Sequence, residues 1–349
     1  MTASFLTPLP LIQAPMAGVS TPELAAAVSN AGALGSLGIG ASSPDQAQRM
    51  IRRTRELTDK PFNVNLFCHA PALRNTARES AWIERLRPEF MRFGAQPPCE
   101  LHEIYRTFIN NAGMLDVLLA ERPAVVSFHF GLPDSAALLA LNQVGIITLA
   151  CATCVSEAEL IASVGINFIV AQGEEAGGHR GIFDPQARDE RLSTRELVRA
   201  IRRVTDVPVI AAGGMMDGED IALALATGAV AAQLGTAFIL CPESAADEGY
   251  RATLASERAR RTVLTRTLSG RLARGIANRL TLLPDQEEMA DYPVAYDLAK
   301  ALHRIASQQN CQEYAAHWAG TGAQRARPMP AGRLVATLAE EIRSAQRQI

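Results

Sequence analysis

The sequence predicts a closed barrel of eight parallel strands surrounded by helices, the (β/α)8 or TIM-barrel fold, with an additional helical region. Two observations support this fold class. Eight short apolar runs lie between residues 10 and 235, and helical patterns separate most of them. Such unalternating runs are typical of strands buried on both faces of a parallel sheet. A glycine that can cap the preceding helix also stands before four of the runs, at Gly32, Gly145, Gly165 and Gly228.

The predicted elements follow in order from the N-terminus. The first predicted helix begins at Thr21-Pro22-Glu23, where a capping hydroxyl precedes a proline at the first helical position. Eight parallel strands with intervening helices close into a barrel. An open doubly wound sheet is the alternative, but no GxGxxG pattern follows the first strand, as a dinucleotide-binding fold would require. The predicted strands span residues 10–14, 33–37, 61–66, 124–129, 145–150, 166–171, 207–212 and 230–235.

The chain divides into three predicted parts. The barrel spans residues 1–240 and contains an insertion at about 68–120, which is rich in Arg and Glu and is expected to be helical. After residue 240 the pattern is helical only, so we expect residues 241–325 to form a substrate-side region or lid beside the barrel mouth. Residues 326–349 are expected to form a C-terminal helix that packs on the barrel.

Composition and charge limit the class of protein. The 349 residues are 48% hydrophobic and 20% charged, with a formal net charge of −2. We therefore expect neither nucleic acid nor an anionic membrane as a partner. No apolar run reaches the ~18 residues of a membrane span, and the N-terminus lacks the basic region of a signal peptide. These features predict a soluble, cytoplasmic protein. We expect it to be a monomer or homodimer.

Two local features carry weaker expectations. Cys151-Ala152-Thr153-Cys154 is a CxxC motif without a second pair, so we expect it to be structural and expect no metal site. Seven arginines fall between residues 258 and 279. We expect them on a solvated helical face, and the alternative is that they hold an anionic ligand.

Glycines follow the last two predicted strands, at Gly213-Gly214 and at Gly235-Thr236. TIM barrels often bind a phosphate after strands seven and eight. Glycine lets backbone N–H groups approach an anion closely, and a threonine hydroxyl adds a donor. Ordinary tight turns are the alternative for either pair alone, but the position of both pairs favours a phosphate site.

Polar side chains end other strands of the predicted barrel. Asn65 and Gln172 are amides that suit the N–H and C=O edge of a ring, so phosphate and amides together outline flavin mononucleotide (FMN). His179 follows Gly177-Gly178, which lets the backbone run against a flat cofactor. An ordinary imidazole pKa near ~6.5 would suit this histidine to take a proton at neutral pH. A structural histidine bonded to a loop carbonyl is the alternative.

On these motifs the sequence resembles the nitronate monooxygenases, formerly called 2-nitropropane dioxygenases, of the class I type. The resemblance extends from residue 13 to residue 300 and depends most on AQGEEAGGHRG at 171–181 and YPVAYDLAK at 292–300. The other matching segments are QAPMAG at 13–18, FNVNLF at 62–67, SFHFGLP at 127–133, AAGG at 211–214 and QLGT at 233–236.

The resemblance implies an FMN enzyme that oxidises alkyl nitronates with O2 to a carbonyl compound and nitrite. Nitronates or nitroalkanes and O2 would be its small-molecule partners, and His179 matches the family's catalytic base. The implied flavin contacts are Ala14, Met16, Asn65, Gln172, Gly177, Gly213, Gly214, Gln233, Gly235 and Thr236.

The resemblance also implies a substrate pocket. Tyr292, Tyr296 and Lys300 match its residues, and their spacing of four predicts that all three share one helical face. Surface aromatics on an amphipathic helix are the alternative. Tyr105 and Tyr250 are further expected pocket residues, although the local match around both is loose. His129 is expected near the mouth and in reach of substrate.

Two other functions remain open on the sequence. An NAD(P)H-dependent flavin reductase, similar to the enoyl-acyl-carrier-protein and quinone reductases that share AGGH, would use the same barrel. A flavin-binding protein without turnover is the second alternative. YPVAYDLAK and Arg180 favour the monooxygenase over the reductase, and an intact His179 argues against a protein without turnover.

Overall fold

The structure is a computed structural model, and it describes residues 7–284 and 289–347. The parts of the three predicted segments at residues 1–6, 285–288 and 348–349 lie outside the described residues. All eight predicted barrel strands are confirmed, with ends that shift by at most two residues. The strands are β1 (Leu11–Gln13), β2 (Gly35–Gly38), β3 (Phe62–Phe67), β4 (Val125–His129), β5 (Ile147–Ala152), β6 (Phe168–Gln172), β7 (Gly178–His179), β8 (Val209–Ala212), β9 (Ala231–Leu234), β10 (Thr262–Thr265) and β11 (Ala273–Ile276).

Eight of these strands form the barrel. They pair in parallel in the order β1-β9-β8-β6-β5-β4-β3-β2. A parallel bridge between Ile12 and Leu34 joins the first strand to the residues before β2 and completes the ring. The TIM-barrel prediction is therefore confirmed.

Helices surround the ring, and their caps follow the local sequence. The Thr21 hydroxyl accepts a hydrogen bond of 2.9 Å from Leu24 N and so caps the first helix as predicted. The four glycines that precede strands have φ values between +79° and +102°, the left-handed conformation of a helix cap. The helices are α1 (Pro22–Asn30), α2 (Pro44–Leu57), α3 (Thr76–Met91), α4 (Ala112–Glu121), α5 (Ser135–Gln143), α6 (Val155–Ser163), α7 (Thr194–Ile201), α8 (Gly218–Ala226), α9 (Glu248–Leu254), α10 (Val294–Ser307) and α11 (Ala331–Gln346).

The alternation of side chains along a strand decides which residues reach the barrel interior. In β6, Phe168 and Val170 pack in the interior cluster, whereas Ile169 and Ala171 pack outward in the core under the helices. Gln172 has the parity of the interior residues and ends the strand. The same parity directs polar side chains of other strands into the carboxyl end of the barrel.

The prediction that the chain after residue 240 is helical only is wrong. β10 pairs antiparallel with β11, and β11 pairs antiparallel with β7, the strand that carries His179. The expectation of a solvated helical face is wrong for two of the seven arginines of this segment, whereas Arg260, Arg261 and Arg279 are exposed. Arg271 and Arg274 are buried, and Arg274 Nε donates a hydrogen bond of 2.8 Å to Glu174 O.

A second core lies beside the barrel mouth. Within the predicted insertion, α3 and α4 are helical and residues 92–111 have no long element. Side chains of α3 and α10 share one buried cluster, which includes Trp82, Leu86 and Leu302. At the C-terminus, α11 packs on the barrel helices α1 and α8. Within the described ranges, no helix has the length and apolar character needed to cross a membrane.

Candidate active site

A cavity of about 210 Å³ opens at the carboxyl ends of the barrel strands. All ten residues predicted as flavin contacts line it, and His179, Tyr105, Tyr292 and Tyr296 line it as well. The strand parity described above explains this convergence, because Asn65, Gln172 and Gln233 all point inward where their strands end. The structure therefore brings all the predicted site residues except Lys300 together around one cavity.

Backbone groups available to an anion lie after β8 and β9. Gly213 and Gly214 have φ values of +129° and +73°, which favour glycine, and both line the cavity. The N–H groups of Gly213, Gly214 and Gly235 donate to no oxygen in the part of the chain that the structure describes. Thr236 Oγ1 accepts a hydrogen bond of 3.0 Å from Gly320 N, so its own proton is free to donate. These donors fit a phosphate group.

The Gln172 side chain holds the turn that carries the histidine. Its Nε2 donates to His179 O at 3.0 Å, and its Oε1 accepts from Gly181 N at 2.8 Å. Arg180 Nη1 reinforces the same turn by donating to Gln172 O at 2.6 Å. The amide was predicted to meet a flavin ring, but most of its hydrogen-bonding capacity is used within the chain. Only one Nε2 proton remains for a cofactor.

His129 supports the turn from β4. Its Nε2 lies 3.2 Å from His179 O, and because a carbonyl can only accept, this nitrogen donates. Burial and the nearby Arg271 lower the pKa of His129 to about 4, so the ring is neutral at neutral pH. His129 lines the cavity, in agreement with its expected place near the mouth.

His179 stands among aromatic rings at the cavity wall. Its ring centroid lies 5.0 Å from that of Trp318, 5.4 Å from that of Tyr292 and 5.6 Å from that of Phe130. Burial, with the neighbouring His129 and Arg271, lowers the pKa of His179 to about 3. The ordinary pKa expected from the sequence is therefore wrong. The imidazole is neutral and unprotonated at one nitrogen at any physiological pH.

The tyrosines reach the cavity, but not from a single helix. Tyr292 precedes α10, which begins at Val294 after a cis Tyr292–Pro293 peptide. The predicted shared helical face is thus wrong for Tyr292 and holds only for Tyr296 and Lys300. The Tyr292 hydroxyl is buried without a hydrogen-bond partner in the described residues. It is available to a bound molecule.

Lys300 does not line the cavity. It is exposed on α10, and its Nζ lies 5.0 Å from the Tyr105 ring centroid and 5.1 Å from that of Tyr296. The ammonium therefore covers the outer faces of two cavity tyrosines. Its contact with substrate, as predicted from the resemblance, stays a prediction.

Several residues of the site lie outside the motifs identified in the sequence. Ser269 Oγ lies 2.7 Å from His179 Nε2. The Arg271 guanidinium lies 4.5 Å from the Phe130 ring centroid, and Trp318 lines the cavity. Antiparallel pairing brings Ser269 and Arg271 to the histidine, and a loop from another part of the chain brings Trp318. No pattern in the sequence indicated these three residues. Phe130, by contrast, lies in the matching segment SFHFGLP. Both cysteines of the CxxC motif are free thiols, and no cluster that could hold a metal occurs in residues 7–284 or 289–347.

The fold and site define a class of protein. A TIM barrel in which glycines after the last two strands and a histidine line one cavity is typical of barrel enzymes that bind a phosphate-bearing cofactor. Comparisons with known proteins identify the family within this class.

The sequence matches the nitronate monooxygenase family over residues 1–341. It is 54% identical to a nitronate monooxygenase of Paraburkholderia phytofirmans, over 97% of this chain and 94% of that protein. It is 52% identical to a nitronate monooxygenase of Pseudomonas aeruginosa, over 96% of both chains.

Solved structures agree with the sequence comparison. A nitroalkane oxidase from Streptomyces ansochromogenes superposes with a TM-score of 0.90 at 39% identity, over 98% of both chains. FabK from Thermotoga maritima superposes with a TM-score of 0.75 at 26% identity, over 98% of this chain and 95% of that chain. The chain belongs to the nitronate monooxygenase family, whose members are flavin-dependent oxidoreductases.

Proposed function

We propose that the protein is an FMN-dependent enzyme that oxidises alkyl nitronates with O2 to a carbonyl compound and nitrite. One observation carries the proposal: a neutral histidine, a tyrosine hydroxyl without a partner in the described residues and glycine N–H groups that donate to no described oxygen all line one cavity. The glycines fit a phosphate, and the histidine and tyrosine fit a small anion beside the cofactor.

FMN fits the residues of the cavity better than a dinucleotide. The N–H groups of Gly213, Gly214 and Gly235 would hold its single phosphate, with the Thr236 hydroxyl as a further donor. The side chains of Asn65 and Gln233 and the remaining Gln172 proton would meet the polar ring edge, and Ala14, Met16 and Gly177 would pack on the flavin. When bound, FMN would accept electrons from the substrate and pass them to O2.

His179 would act as a base toward neutral nitroalkanes. The unprotonated ring nitrogen takes the proton on the substrate α-carbon, and the electron pair of the broken C–H bond stays on the substrate as a nitronate. The low pKa of the isolated imidazole does not prevent this step, because the nitronate formed beside the ring is an anion and favours the imidazolium. A nitronate that enters already formed needs no base.

The tyrosines would hold the nitronate oxygens. Burial raises the pKa of Tyr292 well above its usual value, so its hydroxyl keeps its proton and can only be a donor to an anion. Burial likewise raises the pKa of Tyr105 to about 12. Tyr296 and Lys300 would complete the pocket from α10, with the lysine attracting the anion toward the mouth.

We also propose a role for each part of the chain, an oligomeric state and a location in the cell. Residues 1–240 would bind FMN, residues 241–325 would close the substrate side, and residues 326–349 would brace the barrel. We propose a cytoplasmic monomer or homodimer that removes nitronates. Size-exclusion chromatography with light scattering measures the oligomeric state.

The test is made on the purified protein. Mass spectrometry of the released flavin should show FMN, and FAD would contradict the cofactor assignment. Anaerobic mixing with propionate 3-nitronate should bleach the flavin absorbance, and in air the same substrate should give nitrite. Anaerobic mixing with NADPH is the parallel measurement for the reductase. Rapid bleaching by NADPH without any by nitronate would overturn the proposed function.

A further inference from the structure

We propose that Ser269 is a positioning residue that holds His179 in its Nε2–H tautomer, so that Nδ1 is the nitrogen that takes the substrate proton. This inference rests on the proposed role of His179 as a base. It assigns the reacting atom and names the residue that selects it.

The two ring nitrogens of His179 face different surroundings. Nε2 lies 2.7 Å from Ser269 Oγ. Ser269 is fully buried, with 0% exposure, and does not line the cavity. Nε2 is therefore turned toward the protein. Nδ1 has no hydrogen-bond partner in the described residues, which leaves it as the nitrogen available to a molecule in the cavity.

The serine hydroxyl has a single proton, and a neighbouring backbone carbonyl is in reach as its acceptor. Ser269 Oγ lies 3.2 Å from Arg271 O, and a backbone carbonyl can only accept. When the hydroxyl donates there, Oγ is left as an acceptor, and Arg271 N also donates to it at 3.4 Å. His179 Nε2 must then carry a proton to bond Oγ at 2.7 Å, and Nδ1 carries the lone pair.

The segment that carries Ser269 is fixed on both sides. Gly270 has a φ of +87°, and a Cβ there would lie 2.8 Å from Ala290 O, so the turn fits closely against its neighbour. Arg271 Nη1 donates to Ile182 O at 2.9 Å, and its guanidinium lies 4.5 Å from the Phe130 ring centroid. The serine oxygen is thus held in place before substrate arrives.

The proposed step balances at a stated atom. The α-C–H bond of the nitroalkane breaks, an N–H bond forms at His179 Nδ1, and the electron pair remains on the substrate as the nitronate. The imidazolium keeps its Nε2–H bond to Ser269 throughout. No movement of the serine proton is needed.

The tautomer can be observed directly. The holoenzyme is labelled with 15N-histidine, and the His179 signals are assigned by their loss in His179→Asn. The wild type should show a protonated Nε2 and an unprotonated Nδ1, and Ser269→Ala should shift both nitrogens toward a mixture of tautomers. Ser29→Ala is the matched control, because Ser29 is also a buried serine that donates to a carbonyl, Pro61 O, but far from His179.

Rates provide the second measurement. Ser269→Ala should lower kcat for a neutral nitroalkane about tenfold, a fraction of the ~10²–10⁴-fold that general-base catalysis contributes. Oxidation of the preformed nitronate should stay within about twofold. Ser269→Thr retains a hydroxyl and should restore most of the loss. A wild-type protein protonated at Nδ1, or an unchanged His179 spectrum in Ser269→Ala, would overturn the inference. A protein with the assigned tautomer but no oxidation of any nitronate would contradict only the proposed function.

Discussion

Replacing Arg180 tests how the turn that carries His179 is held. The Arg180 and Asp189 side chains are 1% and 5% exposed. Arg180 Nε and Nη2 donate to the two carboxylate oxygens at 2.8 and 3.1 Å, and Nη1 donates to Gly173 O at 2.8 Å. Burial alone would raise the pKa of Asp189, but the hydrogen bond and charge of Arg180 outweigh it and lower the pKa.

Arg180→Met leaves a buried carboxylate without its partner. Removing one member of a buried ion pair lowers the free energy of unfolding by about 3–5 kcal/mol, whereas replacing both members with apolar side chains lowers it much less. We therefore expect Arg180→Met to lower the free energy of unfolding by about 3–5 kcal/mol. The double variant Arg180→Met/Asp189→Leu should be more stable than the single variant.

Urea unfolding at neutral pH measures both effects. Arg53→Met is the matched control, because Arg53 pairs with Glu23 and both side chains are 49% exposed. Exposed pairs contribute about 0–1 kcal/mol, so this variant should be nearly neutral. A loss below about 1 kcal/mol in Arg180→Met, or a double variant less stable than the single one, would refute this account of the turn.

Three further predictions concern charge. Lys300→Met should raise KM for a nitronate only about two- to fivefold with kcat retained, because the exposed ammonium is screened by solvent. Steady-state kinetics on protein with full flavin occupancy measure this change. A hundredfold rise in KM would contradict it and indicate direct contact between Lys300 and the substrate. Because the pKa of His179 in the free enzyme is about 3, the pH profile of kcat/KM for a neutral nitroalkane should show no break near pH 6.5. A break there that His179→Asn removes would contradict the lowering of this pKa by burial. Burial lowers the pKa values of His69 and His317 to about 4, so the unfolded chain binds more protons than the folded protein below about pH 6.5. Each histidine should therefore lower the free energy of unfolding at pH 5 by about 2 kcal/mol relative to pH 8. Urea unfolding at the two pH values measures this loss, and equal stability at both would contradict it.

The sequence was sufficient to predict the barrel and most of the cavity. Apolar runs and helix-capping glycines repeat along the chain, and parallel strands closed in a ring present their carboxyl ends on the same side. Residues as distant as Asn65 and Gln233 could therefore be assigned to a common site without knowledge of their contacts. The flavin cofactor was predicted from the family resemblance and from the position of the glycines.

Other parts of the site depend on tertiary contacts that leave no local pattern. Ser269 reaches His179 because β11 pairs with β7, and nothing near Ser269 in the sequence indicates that pairing. The low pKa of His179 results from burial among rings such as Trp318, far away in the chain. The spacing of Tyr292 from Tyr296 suggested one helix, but α10 begins only after Tyr292.

The most direct test of the proposed role of His179 is a pair of rates on one preparation of His179→Asn. Nitrite release is followed from a neutral nitroalkane and from its preformed nitronate, with the wild type beside it and the bound flavin quantified in both proteins. A base acts only on the neutral substrate, so the variant should lose about 10²–10⁴-fold on the nitroalkane. It should keep most of the nitronate rate and all of its flavin. Equal losses on both substrates would contradict the base assignment, as would no loss on either.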